Sequence, residues 1–258
     1  MDPEHQETIE ALVRILRKCQ SILFITGAGV SADSGLPTYR GIGGLYGAKE
    51  TDDGLPIEAI LSGPMFRSQP ELTWKYLAQI TDSLRAATYN RAHEVIALME
   101  QNFPRVWTLT QNVDGFHHRA GSRNVIEIHG NAGSMSCTRC DFRRGTEPNT
   151  PLQIPPYCPE CGAVLRPDVV LFEESLPEEA LLRLRRELDV GFGAIFSIGT
   201  SSVFPYIQEP VISARRMGVP TVEINPSETM LSGFVDYRLP MGAAAAMDEI
   251  WNRLSDGR

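Results

Sequence analysis

No stretch of this sequence approaches the roughly 20 consecutive apolar residues of a membrane span, so no transmembrane helix and no membrane partner is expected. The opening MDPEHQETIE lacks the basic and apolar regions of a signal peptide, which makes a reducing, intracellular and by default cytoplasmic setting the expectation. Basic charge is short too. With 24 Lys and Arg against 32 Asp and Glu the formal net charge is -8, and the basic footprint of a nucleic-acid binder is missing. Basic protein segments fit that balance better. Cysteine is scarce, at five residues, but four of the five form two C-x-x-C pairs, and in an intracellular chain that pattern reads as a metal site rather than as disulfides. The fifth, Cys19, falls with Ile9, Leu12, Val13 and Leu16 on one face of a first amphipathic helix, where burial is its expected role.

What is present organises the 258 residues as one large core carrying inserted material. SILFITGAG is a short apolar strand running straight into glycines, as a βα phosphate-binding turn does. Similar runs follow: RVWTLT, NVIEI, DVVLF, GAIFSIG and PTVEIN. Helical stretches such as HEVIALME and PEEALLRLRREL separate them, and the AAAA run at Ala243 to Ala246 reads as one turn of a terminal helix. The alternation predicts an α/β fold with a Rossmann-like, doubly wound and mostly parallel sheet. Residues 1–40, 91–135 and 167–258 are expected to form that nucleotide-binding lobe. Two segments break the pattern: 41–90, Gly- and Pro-rich and then helical, and 136–166, cysteine-bearing and short of regular apolar period. They predict a smaller zinc-bearing lobe built from two inserts.

Gly27-Ala28-Gly29-Val30-Ser31-Ala32 fits G-x-G-x-x-A after a strand, where missing side chains let a pyrophosphate approach backbone N–H groups. The acid expected about 20 residues later would be near Asp52 or Asp53, inside an insert and not at a strand end, which weighs against an ordinary dehydrogenase. Taken by itself, the motif also fits a bare turn with no ligand. Cys137-x-x-Cys140 and Cys158-x-x-Cys161 have the spacing at which two knuckles give four thiolates to one tetrahedral zinc. Such a closed site leaves no open position for water, so its role is to hold the insert folded.

Thr110-Gln111-Asn112-Val113-Asp114-Gly115 follows RVWTLT, His129-Gly130 follows NVIEI, and Gly199-Thr200-Ser201-Ser202 follows GAIFSI. Each set stands at the C-terminal end of a strand, where α/β sheets bind ligands. A histidine there can exchange protons near neutral pH, although a loop histidine is more often merely solvated or hydrogen-bonded; His93, His117 and His118 are read that way.

GAGVSADSGLPTYRG, TQNVDGFH, EIHG, the paired CxxC, RPDVVLF, GTSS and EIN stand in the order found in sirtuins, which the chain resembles over nearly its whole length. The resemblance implies an NAD-dependent protein lysine deacylase, most of all a deacetylase, acting on acyl-lysine-bearing proteins or peptides. NAD would be consumed as co-substrate, giving nicotinamide, O-acyl-ADP-ribose and free lysine, and one zinc ion would be structural. By position, Gly27, Ala28, Gly29, Ser31, Tyr39 and Arg40 would line the phosphate and reacting-ribose region. Gln111 would meet the ribose hydroxyls, with Asn112 and Asp114 at the ribose and nicotinamide ends, and Gly199, Thr200, Ser201, Asn225 and Ala243 complete the cofactor set. His129 would be the general base, with Asn112 beside it in catalysis. Without the resemblance, Asn112 and Asp114 read as a loop capping the next helix. Val169, Val170, Leu171 and Phe172, with Val203 opposite, would pair with the substrate backbone by strand addition.

Three departures from the sirtuin pattern stand out. Tyr39 replaces the usual Phe, and Glu173 stands where a Gly is general, which would favour basic residues beside the lysine. In PELTWKYLAQI, Leu77 and Ile80 occupy the positions where succinyl- and malonyl-lysine enzymes carry Tyr and Arg, so an apolar acyl group is expected. Two other activities share these features: mono-ADP-ribosyl transfer onto a protein, and a non-catalytic NAD-sensing, zinc-dependent interaction module. Retention of Asn112 and His129 speaks against both.

Overall fold

The computed structural model describes residues 3–37, 51–146 and 153–256; Tyr39 and Arg40 lie outside the described residues. The first helix, α1 (Pro3–Leu16), buries Ile9, Leu12, Val13 and Leu16 at the spacing of a single helical face. Cys19 is buried as expected, but past the helix end, with its thiol donating to the Ser21 carbonyl at 3.0 Å.

Next come β1 (Ser21–Thr26) and a 3-10 turn, Ala28–Ser34. The helical insert holds α2 (Ile57–Ile60), α3 (Gly63–Ser68) and α4 (Pro70–Ala86), followed by α5 (Arg91–Asn102), β2 (Arg105–Thr110), α6 (Phe116–Arg119) and β3 (Val125–Glu127). A second group of strands comprises β4 (Gly130–Cys137), β5 (Arg143–Gly145) and β6 (Leu165–Val169). The chain finishes with α7 (Glu178–Val190), β7 (Ala194–Ile198), α8 (Pro205–Arg216), β8 (Thr221–Ile224), β9 (Tyr237–Leu239) and α9 (Ala243–Ser255).

The large sheet has the order β3-β2-β1-β7-β8-β9 with every neighbouring pair parallel. Its strands are apolar on both faces because both faces are covered. Ile22 and Phe24 of β1, with Phe196 of β7, pack against α1, α5 and α9, while Leu23, Ile25 and Ile195 pack against α7 and α8. Each such burial contributes about 1.5–3 kcal/mol, which makes this sheet the stable frame on which the loops are mounted.

DVVLF does not join that sheet. Its beginning belongs to β6, which pairs antiparallel with β4 in a three-stranded sheet ordered β5-β4-β6. An apolar run alone does not distinguish a parallel strand from an antiparallel one. The helical insert packs onto this small sheet through Ile60, Phe66, Trp74 and Leu77 against Met135, Cys158 and Leu165, and the Trp74 indole donates to the Leu165 carbonyl at 2.8 Å. The two inserts thus form one smaller lobe. Tyr237–Leu239, too short to be read from the sequence, closes the far edge of the large sheet.

Candidate active site

Strand order reverses between β1 and β7, so the loops leaving their C-terminal ends diverge and open a crevice. There the two glycine turns touch backbone to backbone: the Gly29 N–H donates to the Gly199 carbonyl at 2.7 Å, and the Gly27 N–H donates to that of Ile198 at 3.2 Å. Gly199 has φ 60°, and a Cβ on it would stand 2.3 Å from the Val30 nitrogen, so no larger residue fits. A cavity of about 850 Å³ opens over this contact. Gly27, Ala28, Gly29, Gln111, Asn112, His129, Gly199, Thr200, Ser201 and Asn225 line it, as do Gly242 and, on its other side, the small lobe. Ala243 sits just behind as the first residue of α9, itself buried. The volume, the exposed glycine backbone and the ring of amides and hydroxyls suit a dinucleotide.

The TQNVD loop is held by a buried polar network. Asn112 donates through Nδ2 to the Gly27 carbonyl and to Ser31 Oγ, both at 3.1 Å, so its amide orientation is fixed and its side-chain oxygen remains for a ligand. Gln111 likewise commits Nε2 to Thr200 Oγ1 at 2.8 Å, leaving Oε1 to accept from hydroxyls. Ser31 donates to Asp114 at 2.8 Å, and the other Asp114 oxygen accepts from the Phe116 N–H at 2.9 Å, capping α6. Capping and site-building coincide here. Burial raises the Asp114 pKa, against the hydrogen bonds from Phe116, Ser31 and Asn112. Asn225 bridges to the Thr200 carbonyl at 3.1 Å.

Two histidines belong to this network, although the sequence marked neither. His93 is fully buried; its Nδ1 accepts from the Asn90 N–H at 3.2 Å, which turns Nε2 toward Ser31 Oγ at 3.4 Å. Burial pushes its pKa down to about 4. His117 bonds Thr26 Oγ1 at 3.0 Å, leaves Nδ1 buried without a partner among the described residues, and has its pKa driven well below the usual range by burial. The available signal was the i+3 spacing of His93 from Asn90, a capping box with His in the reciprocal position.

His129 follows β3 and faces the cavity. Its Nδ1 lies 2.9 Å from the Gln111 carbonyl, which can only accept, so Nδ1 carries the proton and Nε2 the lone pair. Nε2 meets the Tyr206 hydroxyl at 2.7 Å. Burial lowers the pKa of the ring, the Gln111 carbonyl opposing, and the imidazole is therefore neutral and able to take a proton at neutral pH. The adjacent Gly130 has φ 79°, and a Cβ there would lie 2.1 Å from the Asp168 carbonyl. That close approach of β4 and β6 brings the small lobe up to His129.

Leu77, Ile80, Val169, Val170, Leu171, Phe172 and Val203 also line the 850 Å³ cavity. Much of the 169–172 backbone is already engaged. The Val170 N–H donates to the His129 carbonyl, and Phe172 exchanges bonds with Leu61 and Gly63. Glu173 adopts the left-handed φ 64° that makes Gly the natural residue there, and its exposed side chain stands at the cavity rim. Tyr76, Ile80, Gln79, Ser83 and Leu84 border a smaller cavity of about 180 Å³ beside Ser31 and Asp114. The Tyr76 hydroxyl is committed to Asp53 at 2.5 Å, and neither Arg67 nor Arg85 reaches either cavity.

Cys137, Cys140, Cys158 and Cys161 bring four sulfurs within 4.8 Å of one another. Cys137 and Cys161 stand 3.4 Å apart, and Cys140 and Cys158 3.6 Å, close to the separation of about 3.8 Å implied by tetrahedral Zn–S bonds near 2.3 Å. The donor set fits zinc. All four sites are filled by sulfur, and the cluster lies apart from the cavity lining.

Residues 27–205 match the sequence model of the Sir2 family. The chain is 50% identical over 245 residues to NAD-dependent protein deacylase 2 of Pseudomonas aeruginosa, covering 94% of this chain and 95% of the relative. Among solved structures it is similar to a mutant Sir2 homologue in complex with ADP-ribose (TM-score 0.86, 36% identity, 96% and 97% of the two chains). It is also similar to a Sir2 homologue in complex with NAD (TM-score 0.84, 37% identity, 96% and 94% covered).

Proposed function

The chain belongs to the Sir2 family and is an NAD-dependent protein deacylase, and from that premise we propose the role of each residue in the cavity and an apolar, acetyl-type acyl preference. The observation that carries the assignment is a neutral His129, its tautomer fixed by Gln111, facing a cavity between two glycine turns and an apolar wall. When bound, NAD supplies an electrophilic ribose carbon that an acyl oxygen can attack. Gly27, Ala28, Gly29, Gly199 and Thr200 hold phosphates through backbone and hydroxyl groups, Gln111 accepts from ribose hydroxyls, and Ser201 and Asn225 meet the adenosine ribose. Asn112 presents its side-chain oxygen, and Asp114 fixes Ser31 and the loop. His129 takes the ribose hydroxyl proton at Nε2. The zinc cluster keeps the small lobe folded and takes no part in proton transfer.

Acyl-lysine enters against Leu77, Ile80 and the Val169–Phe172 wall, with Val203 opposite. Because much of that wall's backbone is already bonded, side-chain contacts and the rim carboxylate of Glu173 govern peptide selection more than a long added ladder does, which favours basic flanking residues. An ionised succinyl carboxylate would be desolvated against Leu77 and Ile80 with no cation among the described residues in reach, a cost of several kcal/mol, so at least about a hundredfold in selectivity. Among the described residues no helix is long and apolar enough to cross a membrane, and a cytoplasmic site of action on protein substrates, without nucleic acid, completes the reading.

Incubating the purified chain with NAD and one peptide carrying acetyl-, longer acyl- or succinyl-lysine, with products identified by mass spectrometry, tests the whole proposal. Acetyl or longer apolar groups should turn over fastest and yield O-acyl-ADP-ribose. Succinyl turnover equal to both would contradict the apolar pocket, and ADP-ribose found on the peptide would replace deacylation by transfer.

A further inference from the structure

Helix α8 begins Pro205-Tyr206, and the ring of Tyr206 both packs on the core beneath α8 and lines the cavity. Tyr206 and Phe204 stack with ring centres 5.4 Å apart and planes at 11°, and both meet the His129 ring edge-on, with centres 6.0 and 6.1 Å away. The phenol oxygen stands 2.7 Å from Nε2. Since the Gln111 carbonyl already requires the proton on Nδ1, the bond at Nε2 has one direction: Tyr206 donates and the imidazole accepts. The lone pair that would take a proton from the ribose is therefore occupied in the free enzyme.

We propose that Tyr206 is the positioning residue of His129: its hydroxyl holds the Nε2 lone pair in the free enzyme, fixing the ring plane of the tautomer that Gln111 sets, and yields it when the ribose hydroxyl arrives. The inference rests on His129 being the base. Burial keeps the phenol itself protonated, with its pKa raised to about 12, so Tyr206 serves as a donor and not as a second base. Around the imidazole stand the Gln111 carbonyl, the Phe204 ring and the Tyr206 phenol; among the described residues Tyr206 is the one titratable group in contact with it. The hydroxyl has no second protein partner among those residues, so if it turned to accept from a charged His129 its own proton would have nowhere in the protein to go. The contact thus favours the neutral ring.

Two measurements on Tyr206→Phe, which keeps the stack on Phe204, test this. In the free protein, NMR titration of the labelled imidazoles, with His129→Ala identifying the resonance, should show the His129 pKa rising by about one unit, since a hydrogen bond to the neutral form is lost. In turnover, kcat should fall about 10-fold with NAD affinity and nicotinamide exchange close to the parent's, and the acid limb of kcat/KM should move to higher pH. An unchanged titration and unchanged kcat in Tyr206→Phe, while His129→Ala loses turnover, would overturn the role of Tyr206 alone. Normal turnover by His129→Ala would overturn the base assignment and this inference with it.

Discussion

The two sheets of this molecule are stabilised on different terms. In the large sheet each central strand is buried on both faces, and β1 and β7 alone place Ile22, Leu23, Phe24, Ile25, Ile195 and Phe196 in two apolar layers. In the small sheet β5 is exposed throughout, and the described residues of 136–166 give only Cys158 and Leu165 to a buried cluster otherwise supplied mainly by the helical insert. What apolar area does for one lobe, four thiolates around a metal do for the other. The cavity lies between them, with the glycine turns mounted on the large lobe and Leu77, Ile80 and Val169 on the lobe that carries the four cysteines.

Removing one thiolate should have the largest effect, on the small lobe. Structural zinc contributes on the order of 10 kcal/mol to small domains, more than the small lobe's own apolar contacts replace. Cys158→Ala should release the metal, open the 136–166 segment to limited proteolysis and abolish deacylation, while the circular dichroism of the large lobe largely survives. Metal analysis showing no zinc in the parent, or full activity in the variant, would remove zinc from the account.

Acid should act on the other lobe, and less severely. His93 is buried under the cofactor turn with its pKa lowered to about 4, below the ordinary value of about 6.5 in the unfolded chain. Its contribution is fully present above pH 6.5 and is lost as pH falls toward 4, amounting to about 3 kcal/mol; His117 acts in the same direction. The raised carboxyls Asp114 and Glu127 oppose it, since a group that holds its proton in the fold gains stability in acid. Denaturant titrations from pH 7 to pH 4 should therefore show a shallower loss in His93→Gln than in the parent. Identical slopes would place the acid sensitivity elsewhere.

The stable lobe was also the more legible one. Short apolar runs ending in glycine or polar residues located β1, β2, β3, β7 and β8, and with them the positions of Gly27, Gln111, His129 and Gly199, because parallel strands buried on both faces leave a thick hydrophobic record. Cysteine spacing located the metal site, since tetrahedral ligation constrains spacing even where apolar pattern is absent. Three features left no such record. DVVLF has the composition of a parallel strand but pairs in the small sheet, a matter of partner and direction that its own residues do not encode. His93 and His117 looked like isolated histidines because the groups that bury them are distant in sequence. The Tyr206–His129 bond joins residues 77 apart, and nothing local to either announces it.

If His129 acts on a proton after NAD is bound, one variant should separate binding from turnover. Calorimetric titration of His129→Ala with NAD should give an affinity within about threefold of the parent's, while turnover of an acetyl-lysine peptide at saturating NAD falls about 100- to 10,000-fold. Turnover near the parent's would contradict the account, and so would loss of NAD binding in step with loss of activity.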